Sequence, residues 1–129
     1  MIKLLIVFFI GWFAAQLIKL LLERKFSLKS FLFESGGMPS SHTTAIVSST
    51  AYLFLIEGIS TPVVILFIIS SIVIRDSYGV RYATGENAKV LKKKFPKEKI
   101  VLSEGHNLRE VVLGGILGIT IALLVYTLW

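Results

Sequence analysis

The chain contains two histidines, His42 and His106, and each stands where a helix is expected to begin. An imidazole with an unperturbed pKa near 6.5 serves as acid, base or nucleophile around neutral pH. His42 follows Gly36-Gly37-Met38-Pro39-Ser40-Ser41. The glycine pair permits unusual backbone angles, Pro39 sets a turn, and Ser40 or Ser41 can cap the helix. Backbone N–H groups then point outward from a positive dipole end, which makes an anion site. The same residues also describe a plain helix cap. His106 lies in Gly105-His106-Asn107, and Glu110 follows Asn107 at the N-x-x-E spacing of a capping box. Glu110 can close the helix, orient the His106 ring, or do both. Lys19 ends the first apolar segment, where it can hold an anion or snorkel to a membrane interface. Arg81, in RDSYGVRYATG, is either an anion ligand or a topological charge.

Four apolar segments must position these groups. The first runs from Met1 to Leu22, interrupted only by Lys3 and Lys19. As a helix it measures roughly 33 Å, enough to cross a hydrocarbon core. A cleaved signal peptide is the alternative, but no small-x-small cleavage site follows. The second, about 41–57, is polar at its start and oily at its end, before a turn at Glu57-Gly58 and Pro62. The third has 17 uncharged residues from Gly58 to Ile74, and the fourth 19 from Val111 to Trp129. We expect an all-α, single-domain integral membrane bundle over residues 1–129, with four transmembrane helices at about 1–22, 41–57, 60–82 and 107–129. The competing arrangement makes the second segment re-entrant. The intervening loops are expected at about 23–40 and 83–106. Within the latter, ENAKVLKKKF has helical propensity that Pro96 ends.

Composition supports this. Hydrophobic residues make up 54% of the 129 and charged residues 17%, against about 25% in an average soluble domain. Of the charged residues, 14 lie between Arg75 and Glu110 and six between Lys19 and Glu34, leaving only Lys3 and Glu57 elsewhere. The uncharged stretches that result argue against a soluble enzyme, a disordered chain or a nucleic-acid-binding module. The net charge of +6 is then topological. Arg24, Lys25 and Lys29 lie in the first connection, and Arg75, Arg81, Lys89, Lys92, Lys93, Lys94, Lys97, Lys99 and Arg109 lie in or beside the third. The positive-inside rule puts both connections in the cytoplasm and both termini outside. The membrane is expected to be a plasma membrane of bacterial type. Lys92 to Lys94 are expected to meet anionic headgroups. With no cysteine, disulfides and thiolate chemistry are excluded.

The chain resembles the divergent branch of the type 2 phosphatidic acid phosphatase superfamily, membrane proteins related to acid phosphatases and vanadium-dependent haloperoxidases. The resemblance runs through GWFAAQLIKLLL, KFSLKSFLFESGGMPSSHTT, RDSYGVRYATGENAKVL and EGHNLREVVLGGILGI, and GGMPSSH is its most specific part. It implies metal-independent phosphate-ester hydrolysis. Lys19 matches the lysine of the superfamily's Lys-x6-Arg-Pro motif and would hold phosphate. Pro39-Ser40-Ser41-His42 matches its Pro-Ser-Gly-His motif, so Ser40, Ser41 and their amides would bind phosphate and His42 would protonate the leaving group. Arg81 matches the arginine of its third motif, with Arg75 as the fallback. His106 matches the nucleophilic histidine, and Glu110 replaces an aspartate. Three departures stand out: Phe26 occupies the arginine position of the first motif, Ser41 replaces a glycine, and Arg81 and His106 are 25 positions apart.

The resemblance implies a lipid phosphatase acting on a phosphomonoester through a phosphohistidine, without metal or other cofactor; the expected site is at the cytoplasmic leaflet, and phosphatidylglycerophosphate is a reasonable substrate because such lipids are made on that face. The alternatives are a non-catalytic lipid-phosphate-binding or scaffold protein, and a metal-dependent lipid enzyme using Asp76, Glu34 or Glu110. Expected partners are the phosphorylated lipid, anionic membrane lipids and no nucleic acid. Gly114 and Gly118 form a G-x-x-x-G pair, and Gly11 and Ala15 are similarly spaced. This small-residue packing lies either within the chain or across a homodimer. A homodimer is expected, because one small bundle offers little wall for a two-chain lipid.

Overall fold

A computed structural model describes residues 2–23, 37–102 and 105–129. Arg24, Lys25, Lys29, Glu34 and Gly36, on which part of the charge and motif reading falls, lie outside the described residues. Helices are formed by Ile2–Glu23 (α1), Ser41–Glu57 (α2), Thr61–Tyr78 (α3), Val80–Lys94 (α4) and Leu108–Leu128 (α5), with no strand among the described residues. Three apolar stretches, Ile2–Leu22, Thr61–Lys94 and Leu108–Leu128, are long and apolar enough to cross a membrane. The 17-residue α2 is shorter and occupies the centre, packing chiefly against α5 and α1 and then against α3.

The distribution of side chains inverts that of a water-soluble protein. Leu5, Phe9, Phe13, Leu17 and Leu21 on α1, Phe67 and Ile72 on α3, and Ile116 and Leu124 on α5 are all exposed. Buried positions instead hold small or hydroxyl-bearing residues, among them Ala15, Thr43, Thr44, Ala45, Ser48 and Ser49. Lipid is as apolar as leucine, so membrane helices associate through small residues that let backbones approach. The buried hydroxyls stay satisfied by bonding to carbonyls of their own helix: Thr44 to Ser40 O (2.8 Å), Ser49 to Ala45 O (2.9 Å) and Ser48 to Ala45 O (3.0 Å). The chain is an all-α integral membrane bundle.

The glycine spacing resolves within the chain. A Cβ on Gly114 would stand 2.7 Å from the carbonyl oxygen of Ser40, and one on Gly118 would stand 2.8 Å from that of Thr44. Gly11 packs against α2 from the other side, beside Ser48 and the Ala45 backbone. These glycines seat α5 and α1 on α2, so they are not available as a dimer interface.

The turn after α2 forms as expected. Gly58 has φ 64° and donates its N–H to Phe54 O at 2.9 Å, and Pro62 lies in the first turn of α3. At the other end of α3 the helical run extends further than the expected boundary at 82. It breaks locally at Gly79 and resumes as α4 to Lys94, through the helix-forming ENAKVLKKK. The Phe95 N–H then caps Leu91 O, and Lys92 Nζ closes onto the carbonyls of Pro96 and Glu98. The non-helical part of this connection therefore begins at Phe95.

Candidate functional site

Three chain segments far apart in sequence meet at one end of the bundle. The start of α2 is tied to α5 by a hydrogen bond from Ser40 N to Glu110 O (3.1 Å). The segment before α5 is tied to α3 by a bond from His106 N to Ser77 O (3.2 Å). Gly105 lies against the backbone of Arg81 and Tyr82 so closely that no side chain fits there. That contact sets the depth at which His106 enters the bundle.

These ties form a cleft with a volume of ≈ 120 Å³, lined by His42, Val73, Asp76, Ser77, Arg81, Gly105 and His106. A single water needs only about 10–15 Å³ on this measure, so the cleft has room for a small oxyanion. His42 is exposed to it, whereas His106 is 4% exposed. The Arg81 guanidinium is held by hydrogen bonding to Asp76 across the break at Gly79. Arg75 is not among the lining residues and lies over the Tyr78 ring, 5.2 Å from its centroid. Of the two candidate arginines, Arg81 is therefore the one at the cleft.

Glu110 fulfils both readings of its spacing. Its amide donates to Asn107 Oδ1 (3.0 Å), and its carboxylate accepts from Asn107 N (3.1 Å), which makes a complete capping box. The same carboxylate oxygen is 3.1 Å from His106 Nδ1. An Nδ1–H donated to Glu110 leaves the Nε2 lone pair as the nucleophilic atom of a neutral ring. A second cavity of ≈ 230 Å³, lined in part by Glu86, Lys89, Asn107 and Glu110, lies beyond Gly105. Glu110 thus stands between His106 and this polar cavity.

Burial pushes the His106 pKa below 6.5; the hydrogen bond and charge of Glu110 act in the opposite direction, the charge of Lys19 lowers it and the Gly37 backbone raises it. The native state therefore favours the neutral ring. The stability this contributes is fully present above pH 6.5 and is lost as pH falls through the lower folded value. Glu110→Gln removes a raising influence, so the His106 pKa is expected to fall further. Titration of the His106 ring resonances by NMR in detergent micelles measures this. An unchanged or higher pKa in Glu110→Gln would contradict the electrostatic coupling.

The remaining expected site residues are placed less directly. Lys19 is 7% exposed near the end of α1, too buried for a snorkelling anchor. It does not line the cleft, but its charge reaches His106. Ser40 is fully buried; its hydroxyl accepts from Thr43 Oγ1 (3.0 Å) and caps α2 through Thr43 N (3.5 Å), while its amide is given to Glu110 O. Ser41 is 3% exposed. Neither serine lines the cleft. Ser40 therefore positions the start of α2, because its hydroxyl and amide both have protein partners. Sequence reasoning missed Ser77 and Val73, and it considered Asp76 only as a metal ligand. The Ser77–His106 bond spans 29 positions and has no local pattern to reveal it. Gly79, which ends α3 just after Ser77, was the available signal.

The chain is similar to known proteins. The chain matches the profile of the family described as "Divergent PAP2 family" over residues 2–121. It is 32% identical, over 136 aligned positions covering 84% of each chain, to a protein of Bacillus subtilis (strain 168) named "Uncharacterized membrane protein YuiD". No solved structure matches.

Proposed function

The chain belongs to the divergent PAP2 family, and from this we propose that it is a membrane lipid phosphatase that hydrolyses a lipid phosphomonoester through a phosphohistidine. The observation that carries this reading is that His42, His106 and Arg81 line one small cleft although they come from three different segments. The phosphate is held by Arg81, with the buried charge of Lys19 behind it. His106 Nε2 attacks phosphorus in line as the P–O bond to the lipid alcohol breaks. Negative charge on the bound phosphate keeps a proton on His42, which passes it to the departing alkoxide. His42 then takes a proton from water, the hydroxide attacks phosphorus, and the N–P bond breaks to release inorganic phosphate. Fixed positive charge opposite the equatorial oxygens stabilises both transition states. Glu110 offsets the charge that develops on the His106 ring. Ser40 acts by holding α2, and Ser41 adds its helix-start amide to the positive end.

The site faces the cytoplasm, with both termini outside, since the lysine-rich connection is on the site's side of the bundle. Phosphatidylglycerophosphate is a suitable substrate because such lipids are made on that face. Anionic lipids are met by Lys92 to Lys94, and a homodimer would add wall for a second lipid chain.

Phosphate release by the purified chain over a panel of lipid phosphomonoesters tests the reading. Release from at least one lipid, undiminished in EDTA, is expected. Activity that vanishes in EDTA and returns with a divalent cation would favour a metal-dependent enzyme. No release from any lipid, together with retained binding, would favour a scaffold that only holds lipid phosphate.

A further inference from the structure

The geometry points to a binding site for one acyl chain: a groove formed by α2, α3 and α5, next to the His42–His106 cleft along α2 and α3. It rests on the reading of that cleft as the place where a lipid phosphate reacts. The groove has a volume of ≈ 270 Å³, and its lining includes Val47 and Phe54 of α2, Val63, Phe67 and Ile74 of α3, and Ile119 of α5. α3 touches α5 little, so the groove is open on the side where lipid lies, with α2 as its floor.

Three observations select the occupant. First, the groove lies close to the cleft along two helices. Val73 lines the cleft and the adjacent Ile74 lines the groove; on α2, His42 lines the cleft and Val47 the groove. Five helical residues rise about 7.5 Å. Second, the groove has the depth of a leaflet. From Ile74 to Val63, α3 descends about 16 Å, close to half of a hydrocarbon core of about 30 Å. Third, its hydroxyls are already engaged. The Thr50 and Ser70 hydroxyls are 2.8 Å apart and each also lies within hydrogen-bond distance of a carbonyl of its own helix, Ile46 O and Leu66 O, while Ser71 donates to Phe67 O (2.9 Å). The groove thus offers apolar contact without a demand for a polar partner. A single hydrocarbon chain, with its headgroup phosphate in the cleft, satisfies all three.

The test uses the full chain in lipid nanodiscs and two readouts. Phosphatidic acid carrying a photoactivatable diazirine in one acyl chain is expected to label peptides of α2 and α3 that line the groove. Ile119→Trp fills the groove and is expected to reduce that labelling at least about fivefold. It should also lower the ratio of kcat/KM for dioleoyl over dibutanoyl phosphatidic acid by about tenfold. Leu124→Trp, exposed on α5 outside the groove, is expected to keep both values at wild type. Label spread evenly over the outward helix faces, or an unchanged ratio in Ile119→Trp, would overturn the groove. The labelling needs no turnover. A chain that labels in the groove yet releases no phosphate refutes the phosphatase reading and supports the groove. Release of phosphate without groove labelling refutes the groove alone.

Discussion

His106→Ala is expected to lower phosphate release by at least about a thousandfold while the bundle stays folded. A thousandfold corresponds to about 4 kcal/mol of transition-state stabilisation. The size follows from the role: His106 is the group that forms the covalent bond to phosphorus, and of the two histidines lining the cleft it is the one whose ring rests on a carboxylate. Its ring is 4% exposed, and its Nδ1 is 3.1 Å from Glu110. The fold should survive because the tie from this position to Ser77 is made by the backbone N–H, which alanine keeps. The capping box of α5 uses Asn107 and Glu110, so it also persists. Phosphate release measured beside helical content and thermal unfolding in the same detergent separates the two effects. A wild-type rate in folded His106→Ala sinks the covalent mechanism. Adding His42→Ala should cost little more, since the two histidines act in one sequence of steps and removal of either stops it.

The largest loss of stability is expected from Gly118→Leu. Any Cβ at this position meets the Thr44 carbonyl oxygen at 2.8 Å and the Ser48 amide nitrogen at 3.0 Å. Both are backbone atoms of a helix, so neither can swing aside as a side chain would. The whole of α5 must move off α2, carrying with it the Gly114 contact and the bond between Ser40 and Glu110. Overpacking a dense core costs about 1–3 kcal/mol, and this case belongs at the top of that range or above it. Gly115→Ala is the matched control, because nothing lies within 4 Å of a Cβ there. Thermal unfolding in detergent should place Gly118→Leu well below wild type and Gly115→Ala beside it. Equal melting of the two variants would show that the α2–α5 contact does not hold the bundle together.

His106 and Gly118 differ in how much of their role is local to the chain. The imidazole chemistry is local. A histidine at a helix start, an asparagine cap and a glutamate three residues on are visible as letters, and the capping box formed at those letters. The spans are also local, since a long uncharged stretch has few alternatives to a membrane helix. The continuation of α3 into α4 was partly visible, because ENAKVLKKK is helix-forming, but the loop was expected to begin at 83. The small-residue pattern on α5 was visible as a pattern, while its partner was not: G-x-x-x-G looks the same whether it meets another copy or its own neighbour. The role of Ser40 was legible as a cap. That its amide would be taken by Glu110 O was not, because that bond joins positions 70 apart.

By itself, then, the sequence determined a membrane bundle with its polar chemistry gathered at helix ends, because charge, hydropathy and capping act over a turn or two. Only the tertiary structure decided which of those helix-end groups share a cleft. It brought His42, Arg81 and His106 together, left Arg75 on Tyr78, buried Lys19 where its charge reaches His106 and put the glycines against α2. Those outcomes depend on how each helix is rotated and how closely it packs. Close contact between backbones fixes that rotation, and no single segment encodes it alone.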